Sequence, residues 1–166
     1  MNRWTRGWLA GAVLLSQGCA QASDGSGAVL APLETLHVGS QCGDLNRPAV
    51  IWIADAGEWR QRYAEITRLQ MHPPPLPVVD FSREGVLLIA MGQQTTGGYG
   101  LSLVGKSATV HDEVLSVAVT WREPLPGYAQ TQAMTNPCLL TKLSGGVFSR
   151  IRVIDQDGRI RLEGFR

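Results

Sequence analysis

The chain has 166 residues, 44% of them hydrophobic and 17% charged, with 15 Lys and Arg against 14 Asp and Glu for a formal charge of +1. So even a balance lacks the dense positive charge with which a protein neutralises phosphates, and it excludes the electrostatic footprint of a nucleic-acid binder. The length suits one ordinary domain with its own hydrophobic core.

The opening Met1-Asn2-Arg3-Trp4-Thr5-Arg6 places two positive charges and no acid before the apolar run Trp8 to Leu15. That order is the signature of a signal segment, read here as residues 1–22. A membrane-spanning helix needs roughly 20 apolar residues, and this run is broken well before that by Ser16, Gln17 and Gly18. Two cleavage readings stay open. Leu15-Ser16-Gln17-Gly18-Cys19 resembles a lipobox, which would leave a lipidated Cys19 at the new N-terminus; Gln17 stands where a small residue is usual, and the leucine lies one place too far upstream. Ala20-Gln21-Ala22 instead offers small residues at the two positions a general signal peptidase inspects, so that the mature chain begins at Ser23. Both routes predict an exported protein, in the periplasm or as a bacterial outer-membrane lipoprotein, with membrane contact only through a lipid on Cys19. Loss of Arg3 and Arg6 leaves 13 basic residues against 14 acidic ones, a formal charge of −1.

Beyond the leader, residues 23–33 are rich in Gly, Ser and Ala and end at Pro32-Leu33, the composition of a flexible tether. Residues 34–166 read as a single domain. Removing or lipidating Cys19 leaves Cys42 and Cys138, an even pair that in an oxidising compartment reads as a structural disulfide; two buried free thiols are the alternative. Leu33 to Val38 suits a first strand, and the β-branched run Ala49 to Ala54 a stronger one. Asp55 precedes Glu58 by three residues, a capping-box spacing. A helix is expected to follow, with Trp59, Tyr63, Ile66 and Leu69 or Gln70 on one face. Pro73-Pro74-Pro75-Leu76-Pro77 then forms an extended connector. Val86 to Met91 is continuously apolar, as in a strand covered on both faces. Tyr99 to Leu103, Val114 to Trp121, Cys138 to Leu143, Phe148 to Ile154 and Arg159 to Leu162 complete about eight strands, with His111-Asp112-Glu113 and Asp157-Gly158 as turns. The expected class is α+β and mainly β: an antiparallel sheet, sandwich-like or a partly open barrel, with one amphipathic helix.

Catalytic and ligand chemistry is sparse in this pattern. His37, His72 and His111 are dispersed, with no His-Glu-x-x-His frame and no Cys-x-x-Cys pair. Ser107 lacks the Gly-x-Ser-x-Gly setting of a nucleophile elbow. Asp155-Gln156-Asp157-Gly158 echoes the front of a calcium loop without its later ligands and reads as a hairpin turn. Gly97-Gly98-Tyr99-Gly100 lacks the third glycine of a dinucleotide fingerprint. The expectation is no catalytic residue, no metal and no cofactor.

The segment that stands out is Gln93-Gln94-Thr95-Thr96-Gly97-Gly98-Tyr99, a polar, glycine-dense turn between two strands. Together with Asp80-Phe81-Ser82, Pro126-Gly127, Thr131-Gln132 and Thr135-Asn136-Pro137, it makes the region Asp80 to Leu143 resemble the C-terminal domain of the PrcB family of protease-complex subunits. Two departures are that family members commonly carry proline at Thr95 and an aromatic residue at Cys138, the latter consistent with an acquired disulfide to Cys42. The resemblance implies a non-enzymatic accessory lipoprotein that binds and stabilises an exported protease complex; the expected partner is an exported protein, a protease among the possibilities, and Gln94, Thr95, Thr96, Gly97, Gly98 and Tyr99 are the candidate partner-binding loop. The residues alone imply less: Gly97 and Gly98 permit positive φ and a sharp turn, and Tyr99 either anchors the loop in the core or faces outward. A tight glycine hairpin with a core tyrosine and no partner satisfies the same pattern. The Thr-Thr-Gly turn also faintly resembles a loop of chagasin-type cysteine protease inhibitors, which carry it on an immunoglobulin-like sandwich. A domain binding a small ligand is a third possibility, and it requires an apolar pocket.

Overall fold

The computed structural model describes residues 27–166. The signal segment, Cys19 and residues 23–26 lie outside the described residues. In chain order the elements are β1 (Val29–Gly39), β2 (Pro48–Ile53), α1 (Ala56–Thr67), β3 (Glu84–Met91), β4 (Gly100–Leu103), β5 (Ser107–His111), β6 (Val114–Arg122), β7 (Cys138–Ser144), β8 (Arg150–Ile154) and β9 (Ile160–Phe165).

The strands form one nine-stranded sheet in the order β2-β3-β7-β1-β5-β6-β8-β9, with β4 paired to β6. Right-handed twist curls so wide a sheet until its two edge strands meet. A side-chain carbon added at Gly164 on β9 would lie 2.7 Å from Val50 Cγ1 and 3.0 Å from the Val50 carbonyl oxygen on β2, so the nearly closed barrel needs glycine at this seam. The C-terminal Arg166 guanidinium covers the same seam, lying 5.2 Å from the Trp52 ring and 4.8 Å from the Phe148 ring. A single curled sheet replaces the immunoglobulin sandwich that an inhibitor-like fold requires. The sheet is also mixed rather than purely antiparallel, because β8 runs parallel to β6.

Two apolar clusters hold the fold. Leu87, Ile89 and Met91 of β3 point into the barrel with Leu115, Val117, Val119, Leu139, Ile151 and Val153. Val86, Leu88 and Ala90, the alternate residues, point outward beneath α1 and meet Ile53, Trp59, Tyr63, Ile66 and Leu140. Two-sided burial explains why β3 reads as an unbroken apolar run.

The helix starts where its cap dictates, since Asp55 Oδ1 accepts hydrogen bonds from the amides of Gly57 and Glu58. The reciprocal half of the capping box is replaced, with Glu58 turning instead toward Arg62. Trp59, Tyr63 and Ile66 are buried as expected, but the helix stops at Thr67 and Leu69 is exposed. The proline connector is pinned by Trp59 Nε1, which donates to the Pro77 carbonyl at 3.1 Å.

Several elements differ from expectation, β9 among them, which runs from Ile160 to Phe165 rather than from Arg159 to Leu162. β1 begins at Val29 because Val29 to Pro32 pair with Val110 to Ser107, so residues 29–33 are sheet and not tether. The partner strand β5 escapes periodicity because only Ala108 on it is buried. β8 begins at Arg150, while Phe148 is buried ahead of it and stands edge-on to Trp52 at 5.2 Å.

Candidate functional site

The glycine-rich turn does not stand alone. Residues 92–99, which join β3 to β4, lie against residues 123–137, which join β6 to β7. The backbones of Gln94 and Thr135 exchange both of their hydrogen bonds, at 2.7 and 3.0 Å. The Gly97 amide donates to the Thr131 carbonyl at 2.9 Å. Thr135 Oγ1 donates to the Thr96 carbonyl at 2.9 Å, and Gln93 Nε2 approaches Met134 Sδ at 2.9 Å. The separate sequence landmarks Thr-Gly-Gly-Tyr, Thr-Gln and Thr-Asn-Pro are thus two sides of one clasp.

The glycines serve that clasp in different ways. Gly98 takes a φ of +91°, and a side-chain carbon there would lie 2.5 Å from Gln130 Oε1 and 3.3 Å from Pro124 Cγ. Gly97 is at ordinary φ, contrary to the expectation of two positive-φ positions; an added Cβ there would be only mildly crowded, 3.2 Å from Thr131 Cβ. Tyr99 packs against the barrel core and also lines a surface groove of about 290 Å³ with Val38, Ser40 and Arg122. Of the expected loop residues, Thr95 is exposed, whereas Gln94 is half-buried and its Nε2 donates to the Met91 carbonyl. Gln94 therefore fastens the loop rather than presenting it.

Sequence reasoning passed over the large apolar residues on the opposite side of the clasp. Leu125, Tyr128 and Met134 are 66%, 72% and 64% exposed there. The available signal was three large apolar residues in a stretch otherwise rich in Pro, Gly, Gln and Thr, without the alternation that would assign them to a core.

The disulfide is present: Cys42 and Cys138 are joined with their Cα atoms 5.9 Å apart. It anchors the end of the clasp, since the Asn136 amide donates to the Ser40 carbonyl and the Cys42 amide to the Asn136 carbonyl. Asp155 has a structural task. Its buried carboxylate accepts from the amides of Asp157 and Arg159, each at 2.9 Å, and from Arg161 Nε at 2.7 Å. Burial alone would raise its pKa, but these donors together outweigh burial and hold it below the usual carboxylate value. Both carboxylate oxygens are thus engaged in closing the β8–β9 turn, where Gly158 takes a φ of +78°.

No curated protein and no solved structure matches the chain significantly. Residues 86–144 match the family model described as PrcB C-terminal. The match begins at Val86, inside β3, and omits Asp80-Phe81-Ser82; it covers the rest of β3, the whole clasp and β7. This stretch of the barrel, with both loops of the clasp inside it, is the part of the chain that is similar to the PrcB C-terminal family.

Proposed function

We propose that the protein is a non-enzymatic accessory factor of the bacterial envelope, which binds an exported protein, a protease of a larger complex, and stabilises it. The observation that carries this reading is the clasp within the family-matched segment, one loop of which exposes Leu125, Tyr128 and Met134. Exposed apolar groups of this size on one pair of loops suit contact with another protein. Cross-bonding of the loops lowers the ordering entropy that an interface must otherwise overcome. An aromatic and two flexible apolar side chains are apt anchors for such an interface. Export through the leader, with a lipid on Cys19, extends the proposal by keeping the domain where such a protease works.

The test is capture from cross-linked envelope extracts by the wild-type protein and by a Leu125→Ala/Tyr128→Ala variant. An exported protease is expected among the wild-type captures and should be depleted with the variant, and its lifetime should shorten in cells that carry the variant. Equal capture by both proteins, or capture without any protease, would count against the reading. An inhibitor would behave differently, lowering the turnover of the captured protease.

A further inference from the structure

His37 and Cys42 meet the distant Cys138 beneath α1. A β-bulge in β1 between Thr35 and His37 lets consecutive residues Leu36 and His37 both turn toward the helix layer. There the His37 ring stands edge-on to Tyr63, with centroids 6.1 Å apart. Its Nε2 is buried without a hydrogen-bond partner among the described residues, and native proteins rarely leave such an atom unpaired. A carbon added at Gly39 would lie 2.9 Å from His37 Nε2 and 3.0 Å from Cys42 Sγ, so the imidazole edge and the cystine flank the same point. The ligand atoms of His37, Cys42 and Cys138 all lie within 4.8 Å of one another, and both cysteines are fully buried. Burial also lowers the pKa of His37, which favours the neutral, metal-binding form of the ring.

The cystine itself offers no thiolate. Reduction by a dithiol transfers two electrons and two protons to the S–S bond, leaves Cys42 and Cys138 as thiols, and converts the dithiol to its own disulfide. We propose that the reduced protein binds one thiophilic divalent cation of the zinc type through Cys42 Sγ, Cys138 Sγ and His37 Nε2, the two thiols releasing their protons as the ion enters. Bond lengths of about 2.0–2.3 Å place ligand atoms around a tetrahedral ion roughly 3.5 Å apart. The imidazole therefore closes in by a small side-chain adjustment, while the sulfurs part from their bonded separation of 2.06 Å. The fourth position falls to a small exogenous ligand such as water. The end of the clasp is then tied at one place in either state, covalently when oxidised and through the ion when reduced.

The test is titration of the phosphine-reduced protein with Co²⁺. One equivalent should produce thiolate-to-cobalt charge-transfer absorption and tetrahedral d–d bands, both removed by Zn²⁺, and the oxidised protein should show neither. His37→Ala should weaken binding at least roughly tenfold, because even partners outside the ligand shell cost that much. His37→Gln serves as the second variant, with folding of every sample followed by near-ultraviolet circular dichroism. Absence of the bands in reduced wild type would overturn the proposal. So would undiminished affinity in the histidine variants, or equal affinity in urea-unfolded protein, since thiols 96 residues apart form a site only in the fold.

Discussion

Replacing Gly98 by alanine isolates the backbone demand of the clasp. At a φ of +91° an L-residue is strained, by about 1–2 kcal/mol. The added methyl also meets two neighbours, and they differ in how easily they yield. Gln130 Oε1, at 2.5 Å, ends a flexible side chain whose only hydrogen bond among the described residues is a long one, 3.4 Å from its Nε2 to the Tyr128 carbonyl, so it swings aside cheaply. Pro124 Cγ, at 3.3 Å, belongs to a rigid ring and must shift by a few tenths of an ångström. The expected total is about 1.5–3 kcal/mol. Two controls separate the contributions. Gly158, at +78° with nothing within 4 Å of an added carbon, carries strain alone and should lose about 1–2 kcal/mol as alanine. Gly97, at ordinary φ with a 3.2 Å contact to Thr131 Cβ, should change by less than about 0.5 kcal/mol, because the entropy removed from the unfolded chain offsets mild crowding. Urea unfolding at constant m-value reads all three as shifts of midpoint. The reasoning is refuted if Gly97→Ala is as damaging as Gly98→Ala, or if Gly98→Ala is neutral.

Three further outcomes are expected. Replacing both Cys42 and Cys138 by alanine opens a loop of 96 residues, so stability should fall by about 4–5 kcal/mol in the chain-entropy model, and an unchanged melting temperature would contradict a stabilising cross-link. Asp155 has a folded-state pKa below its unfolded value, so its contribution is complete above the unfolded pKa of about 4 and disappears as pH falls through the folded value. Asp155→Asn should therefore be less stable than wild type at neutral pH and lose less stability on acidification; parallel pH profiles in urea titrations would remove that role. Labelled palmitate should enter the wild-type protein and not Cys19→Ser, whereas a soluble product beginning at Ser23 would exclude the lipid anchor while leaving export intact.

Local signals determined much of this molecule. The two-faced apolar run of β3, the alternation of β6 from Val114 to Trp121, the Asp55 cap and the Asp157-Gly158 turn are short-range patterns that the barrel has no reason to override. The paired cysteines were legible as well, because setting Cys19 aside with the expected signal segment leaves an even count, which constrains the pairing even at long separation. The structure alone decided what depends on distant segments meeting. β5 formed because β1 and β6 supply ladders on both its sides, although its own burial pattern is faint. The parallel pairing of β8 with β6 and the closure at Gly164 follow from how the sheet curls, which no local window contains. Gln94 became a fastener once Thr135 lay opposite it, and Leu125, Tyr128 and Met134 became a surface once the clasp held them out. The dispersed His37 reached the cystine because a one-residue bulge reversed the side on which it emerges. Side-chain direction along a strand has a period of two, so a single inserted residue reassigns a side chain from one layer to the other, and only the tertiary pairing reveals where that residue goes.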